Sequence, residues 1–418
     1  MIRELHINNY KSLHELTLDV GRFNVFIGEN GCGKSNFLEA ITLAAAAAAD
    51  KLDHEFLTSR GIRVTEPQLM RSAFSDESRL EPIEIGVVLE DFDVILEYTL
   101  ENDNQPYSKW TRLEAELSKM LIESWKLISG HRKKIEELIQ KHQSTSKYED
   151  ELMELYSLIK TVPDMEKRTL KSTAEFLDKS EEEAKNYLEH SEEVINNEDK
   201  LKDFIIYSPE NTALRNFYKE GQIEPLGING EGLLKLLKVI QSKSPEQRRE
   251  IHACLQLFDW YDKLEIPKDL SASEDKVTIT DRYLTQDFDQ RSANEGFLFV
   301  LFYIALMVSD DTPKIFAIDN IDTSLNPKLC TRLIKEMVRL AKKYGKQVFV
   351  TTHNPAILDD IDLGDDEQRL LVVSRNKQGH TRFKRIALAD KPRSSTNEDL
   401  KLSEAFLRGY LGGLPKGF

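Results

Sequence analysis

The segment Gly28-Glu29-Asn30-Gly31-Cys32-Gly33-Lys34-Ser35 spaces two glycines five residues apart and follows them with a lysine and a hydroxyl residue. Glycines let a backbone curl until several N–H groups face one point. An anion placed there gains from those donors and from the positive end of the following helix. The lysine reaches the β- and γ-phosphates, and the hydroxyl is a ligand for Mg²⁺. This full match to G-x-x-x-x-G-K-[ST] marks a nucleoside-triphosphate site. Its contact residues are Asn30, Gly31, Cys32, Gly33, Lys34, Ser35 and Asn36. Cys32 stands at a variable position of the pattern.

A second element is Lys314-Ile315-Phe316-Ala317-Ile318-Asp319, an apolar stretch ending in a carboxylate. An Asp at the carboxyl end of a buried strand can hold Mg²⁺ directly or through water, so Ser35 and Asp319 are the expected metal ligands. Asp359, Asp360, Asp362, Asp365 and Asp366 lack the spacing of a calcium loop and read as a solvated acidic turn.

These residues need a sheet behind them. Phe23 to Ile27 is a continuous apolar run placed directly before the glycine-rich loop, as expected of a strand covered on both faces. After Lys34, Phe37, Leu38, Ile41 and Leu43 lead into the alanine run 44–49, a strong helix former. Strands are expected at Arg3–Asn8, Glu15–Val20, Ile83–Leu89 and Val94–Leu100, the last two joined by the acidic turn 90–93. From about 108 to 203 Lys and Glu dominate, Gly almost vanishes and apolar residues recur at helical spacing. The expected organisation is a head formed by residues 1–107 and 204–418, split by a helical insertion, 108–203, shaped as a short coiled-coil arm or a packed subdomain. Heptad breaks at Ser129-Gly130 and Val162-Pro163 argue against one long coiled coil. The basic run His131-Arg132-Lys133-Lys134 reads as a solvated helix face. Beyond Phe204 the expected elements are strands at Phe204–Tyr207, Lys314–Ile318 and Gln347–Thr351, helices at Gly232–Ile240 and Asn326–Tyr344, and a terminal hairpin, Leu370–Ser374 with Thr381–Ile386.

Composition narrows the class. The 418 residues are 40% hydrophobic, enough for a sizeable core, and carry a net charge of −15, which argues against a broad basic surface for nucleic acid. The longest nearly unbroken apolar run, Phe297–Val308, is short of the roughly 20 residues that cross a bilayer, so no membrane partner is expected. Three cysteines, Cys32, Cys254 and Cys330, make neither a disulfide framework nor a paired zinc motif. The expectation is a cytoplasmic protein.

The motif order then resembles a known group. Arg291-Ser292-Ala293-Asn294-Glu295-Gly296 ahead of an apolar helix is similar to the ABC signature. Asp319 to Pro327 (DNIDTSLNP) resembles the Walker B and D-loop of RecF/SMC-like ATPases, and Val350 to Pro355 (VTTHNP) resembles their switch histidine. The likeness covers the chain apart from residues 108–203 and is nearest to stand-alone ATPases of bacterial antiphage systems, such as PtuA of Septu and AbiL-like ATPases. It implies an α/β fold: a P-loop NTPase head of ABC/RecF type, with a mixed central sheet and flanking helices. It implies ATP and Mg²⁺ as cofactors and head-to-head homodimers or higher homo-oligomers. In these, Ser292 and His353 would contact the γ-phosphate, Ser292 from a second subunit. The resemblance further puts Lys11 near the phosphates and makes Gln68 a Q-loop residue beside Mg²⁺.

Two departures stand out. Where the group carries a catalytic Glu after the Walker B Asp, this chain has Asn320, and an amide cannot act as a general base. Asp322 is the nearest replacement, so slow ATP hydrolysis is expected, with Asp319, Asn320, Asp322 and His353 as the catalytic set. Ala293-Asn294 replaces Gly-Gly in the signature, a change Asn can tolerate through its ease at positive φ. No nuclease motif is present, so an effector nuclease is expected as a separate partner in antiphage defence. The other reading is a RecF/SMC-like repair or DNA-clamping ATPase, although the acidic total makes DNA binding by this chain alone weak.

Overall fold

Alternating apolar residues make Ile2–Tyr10 (β1) and Leu13–Asp19 (β2) an antiparallel hairpin. The computed structural model describes residues 1–90, 95–105, 107–113, 116–142, 149–177, 179–216, 224–267, 276–392 and 400–414. The acidic turn expected at 90–93 falls, from 91 onward, outside the described residues. Phe23–Ile27 (β3) leads through the glycine-rich loop into Lys34–Ala48 (α1), followed by the short helices His54–Ser59 (α2) and Pro67–Met70 (α3). Ile83–Leu89 (β4), Ile95–Glu101 (β5) and Thr111–Arg112 (β6) complete an antiparallel sheet ordered β2-β1-β4-β5-β6.

Residues Leu113–Asp199 form one of two compact units, and Met1–Arg112 with Lys200–Phe418 form the other. The insertion holds Glu116–His142 (α4), Glu149–Leu177 (α5) and Glu181–Glu198 (α6), each packed on the other two around Trp125, Ile128, Val162 and Leu188. This is a packed subdomain rather than a coiled-coil arm, with three helices among the described residues. The expected heptad breaks do not interrupt the backbone: α4 runs through Gly130, and Pro163 lies inside α5. A break in an apolar seam changes which face is covered without ending a helix; Pro163 lacks the N–H for one i→i−4 bond, yet α5 runs through it beside the buried Val162.

The head continues with Ile206–Tyr207 (β7), Asn211–Arg215 (α7), Leu233–Lys243 (α8) and Pro245–Leu255 (α9). Tyr261–Glu265 (β8), Thr278–Asp281 (β9) and Phe288–Asp289 (β10) make a small antiparallel sheet. Then come Glu295–Val308 (α10), Ile315–Ile318 (β11), Pro327–Tyr344 (α11), Gln347–Thr352 (β12), Gln368–Arg375 (β13), Thr381–Ile386 (β14) and Leu402–Leu407 (α12).

The second large sheet is ordered β14-β13-β3-β12-β11-β7 and is parallel except for β14. Parallel strands need helices on their faces, which is why β3, β11 and β12 are fully buried and read as unbroken apolar runs. The run Phe297–Val308 is core: every α10 residue after Glu295 is buried, as a helix apolar on all sides must be. No helix among the described residues is long and apolar enough to cross a membrane. By contrast α11 buries one stripe, Leu329, Cys330, Leu333, Ile334, Met337, Leu340 and Ala341, and stops at Gly345.

Candidate nucleotide-binding site

The carboxyl ends of β3, β11 and β12 are neighbours in the sheet and deliver the glycine-rich loop, Asp319 and His353 to one edge. In open α/β sheets this edge is where ligands bind. The loop is shaped by its glycines. Gly33, the N-cap of α1, has φ 109°, and a Cβ on it would lie 2.1 Å from the Thr381 hydroxyl; one on Gly28 would lie 2.1 Å from the Val373 carbonyl. Thr381 also donates to the Cys32 carbonyl, tying the loop to the terminal hairpin.

Asn30, Gly31, Gly33, Lys34, Ser35, Asn36, Asp319, Asn320 and His353 line one cavity of about 340 Å³, together with Arg63 and Arg375. Lys34 is buried and donates to the Gly28 and Glu29 carbonyls at 2.9 and 3.0 Å. Burial pulls its ammonium below the ordinary range, with the Asp319 and Asp322 carboxylates among the groups opposing that shift. Burial also pushes the Cys32 thiol up, which leaves it protonated and unreactive at neutral pH.

The Ser35 hydroxyl lies 3.2 and 3.0 Å from the two Asp319 oxygens. Thr351 also donates to Asp319, and its hydroxyl accepts from the Asn320 N–H at 2.8 Å. A hydroxyl and a carboxylate that converge on each other are hard oxygen donors, the type that suits Mg²⁺. Among the described residues no three or more His, Cys, Asp and Glu gather into a metal cage.

Asn320 has φ 55°, in the left-handed region where Asn is at ease and Glu is strained. His353 is exposed at the cavity rim. Partial desolvation, and after it the Lys34 ammonium, hold its ring below the usual imidazole range, so it is neutral at pH 7 and donates one hydrogen bond.

Asp322, Gln68, Ser292 and Lys11 are placed outside this lining. Asp322 accepts from the Thr352 hydroxyl at 2.7 Å and from the His353 N–H at 3.3 Å, and it does not line the cavity. Those two bonds tie it to the segment that carries His353. Gln68 is exposed on α3 and does not line the cavity. Ser292 is exposed two residues before the α10 N-cap, which is Asn294; Asn294 has φ −60°, so its tolerance of positive φ is not used. Lys11 lies in an adjoining cavity of about 410 Å³ that shares Asn36, Arg63 and Arg375 with the first.

Sequence reasoning missed Arg63, Thr351 and Arg375. Thr351 carried a faint signal, a hydroxyl closing the apolar strand β12; Arg63 and Arg375 stand in no recognisable pattern.

A parallel sheet whose carboxyl edge joins a glycine-rich loop, a hydrogen-bonded Ser–Asp pair and a histidine has the fold of a P-loop ATPase head of the ABC kind. The chain belongs to the family described as "AAA domain, putative AbiEii toxin, Type IV TA system", which matches residues 23–359. Its fold is that of SMC heads. An Smc head bound to the C-winged helix domain of ScpA shares 12% identity over 93% of this chain and 98% of that one, with a TM-score of 0.52. The Pyrococcus furiosus Smc head with an extended coiled coil, bound to the C-terminal domain of ScpA, gives 15% identity, 93% and 96% coverage and a TM-score of 0.48. The Thermotoga maritima SMC head gives 11%, 93%, 99% and 0.43. No curated protein matched the chain.

Proposed function

We propose that the chain is an ATP-binding, slowly hydrolysing ATPase that pairs head to head and regulates a separate effector, a nuclease, in antiphage defence. The observation that carries this reading is the Ser35–Asp319 pair beside Asn320: the phosphate and Mg²⁺ ligands converge, while an amide stands where a water-activating carboxylate belongs. Lys34 and the loop N–H groups bind the phosphates, and Ser35 and Asp319 hold Mg²⁺, which when bound neutralises charge on the β- and γ-phosphates. His353 donates to the terminal phosphate, and the exposed Ser292 meets the nucleotide of a second head. Binding and closure then form the working state. The family's description names a toxin of a toxin–antitoxin system, a class of two-component device that suits control of a separate effector, and the Smc head bound to the C-winged helix domain of ScpA supports a protein partner.

A second reading, a head that itself clamps DNA, is favoured by the likeness to SMC heads. Purification of the chain with the products of neighbouring genes, with and without ATP, separates the two. An ATP-dependent protein partner supports the effector reading. Its absence, with ATP-dependent, salt-sensitive DNA binding by the chain alone, overturns it.

A further inference from the structure

We propose that Glu39 is a positioning residue that holds Lys11 and Arg63 as a pair of fixed cations against the bound nucleotide; this rests on the reading of the cavity as a nucleotide site. Glu39 is 1% exposed and follows Ser35 by one helical turn on α1. A carboxylate buried there is tolerated only if it is paired and hydrogen-bonded. Its partners are the Lys11 ammonium, the Arg63 Nε at 2.6 Å, the Arg63 N–H at 3.4 Å and the Tyr10 hydroxyl at 3.2 Å.

Both cations are fixed from a second side as well. Lys11 sits at φ 47° and donates to the Arg63 carbonyl at 3.1 Å, while Arg63 reaches the Asn36 side chain at 3.3 Å. The Arg63 side chain is 66% exposed although its Nε is engaged by Glu39 and its Nη2 by Asn36, so the guanidinium is held while still open to the cavity it lines. Arg63 lines both the phosphate-loop cavity and its neighbour, and Lys11 lines the neighbour. The pair therefore stands where the two cavities join, next to the phosphate loop. Cations already held in place need no reorganisation when an anion arrives, which is how preorganised charge stabilises it.

The test exploits a conflict of sign. Glu39→Gln removes a negative charge beside two cations, so simple electrostatics makes the cavity more attractive to ATP. Positioning makes it less so, because Lys11 and Arg63 lose their anchor. ATP·Mg²⁺ is titrated calorimetrically into the full chain, Glu39→Gln, Arg63→Ala and the double variant. The expected result is roughly tenfold weaker binding in each single variant, as for displaced ligand contacts, and a loss in the double smaller than the two combined, because the Arg63 part of the effect is shared. Glu39→Gln binding as tightly as wild type or more so, or additive losses in the double, overturns the proposal. Should Glu39→Gln not fold, Arg63→Ala, whose side chain is exposed, decides alone, and unchanged affinity there overturns it. A wild-type chain that binds no ATP removes the nucleotide site itself; a wild type that binds, with variants that match it, removes only the role of Glu39.

Discussion

The Ser35 hydroxyl lies 3.0 Å from one carboxylate oxygen of Asp319 and 3.2 Å from the other, across 284 positions of sequence. The parallel order β3-β12-β11 makes this meeting possible, because it brings the ends of strands from both halves of the split head to one edge. Replacing Asp319→Asn keeps the shape and removes the charge. ATP turnover is expected to fall about a hundredfold or more as the ion loses its carboxylate, while ATP binding measured without Mg²⁺ stays near wild type. Comparing affinity with and without the ion checks this.

Asn320→Glu restores the carboxylate that ABC-type ATPases carry after the Walker B Asp. Turnover is expected to rise by roughly tenfold to a hundredfold, the lower part of what general-base catalysis supplies. The backbone resists, because φ 55° suits Asn and strains Glu. A loss of about 1 kcal/mol in stability is therefore expected beside the gain in rate. Steady-state ATP hydrolysis and a thermal melt on the same sample read both.

Much of the site could be read from the chain because its chemistry is local. The phosphate loop occupies consecutive residues, and Asp319 and His353 each close an apolar strand that the sheet must bury. Ser292 and Gln68 were less legible: both are exposed outside the cavity, at places set by loop paths that no local pattern dictates. Arg63 was invisible because its position follows from Glu39. Glu39 itself left one trace, a carboxylate in the otherwise apolar run from Phe37 to the alanines. The insertion was legible as helical but not in its packing, because heptad breaks report on a two-helix seam and three helices share the core here.

His353 gives the protein a pH dependence of known sign. An unfolded histidine takes up a proton near pH 6.5, and the folded ring only at lower pH, because partial desolvation and Lys34 disfavour its cation. Between those values the unfolded state binds more protons at this site, so the His353 contribution to stability falls as pH falls through that window and is constant above it. His353→Gln should make the melting temperature less sensitive to a change from pH 7.5 to 5.5. An equal drop in both proteins would assign the slope to other groups.

In the proposed working state ATP brings two heads together, and sedimentation of the purified chain measures this most directly. With ATP and Mg²⁺ the wild type is expected to double in mass. Lys34→Ala is expected to stay single because it binds no nucleotide, and Ser292→Arg to stay single while still binding it. A wild type saturated with ATP that keeps its mass, or a Ser292→Arg variant that pairs as the wild type does, would contradict the account.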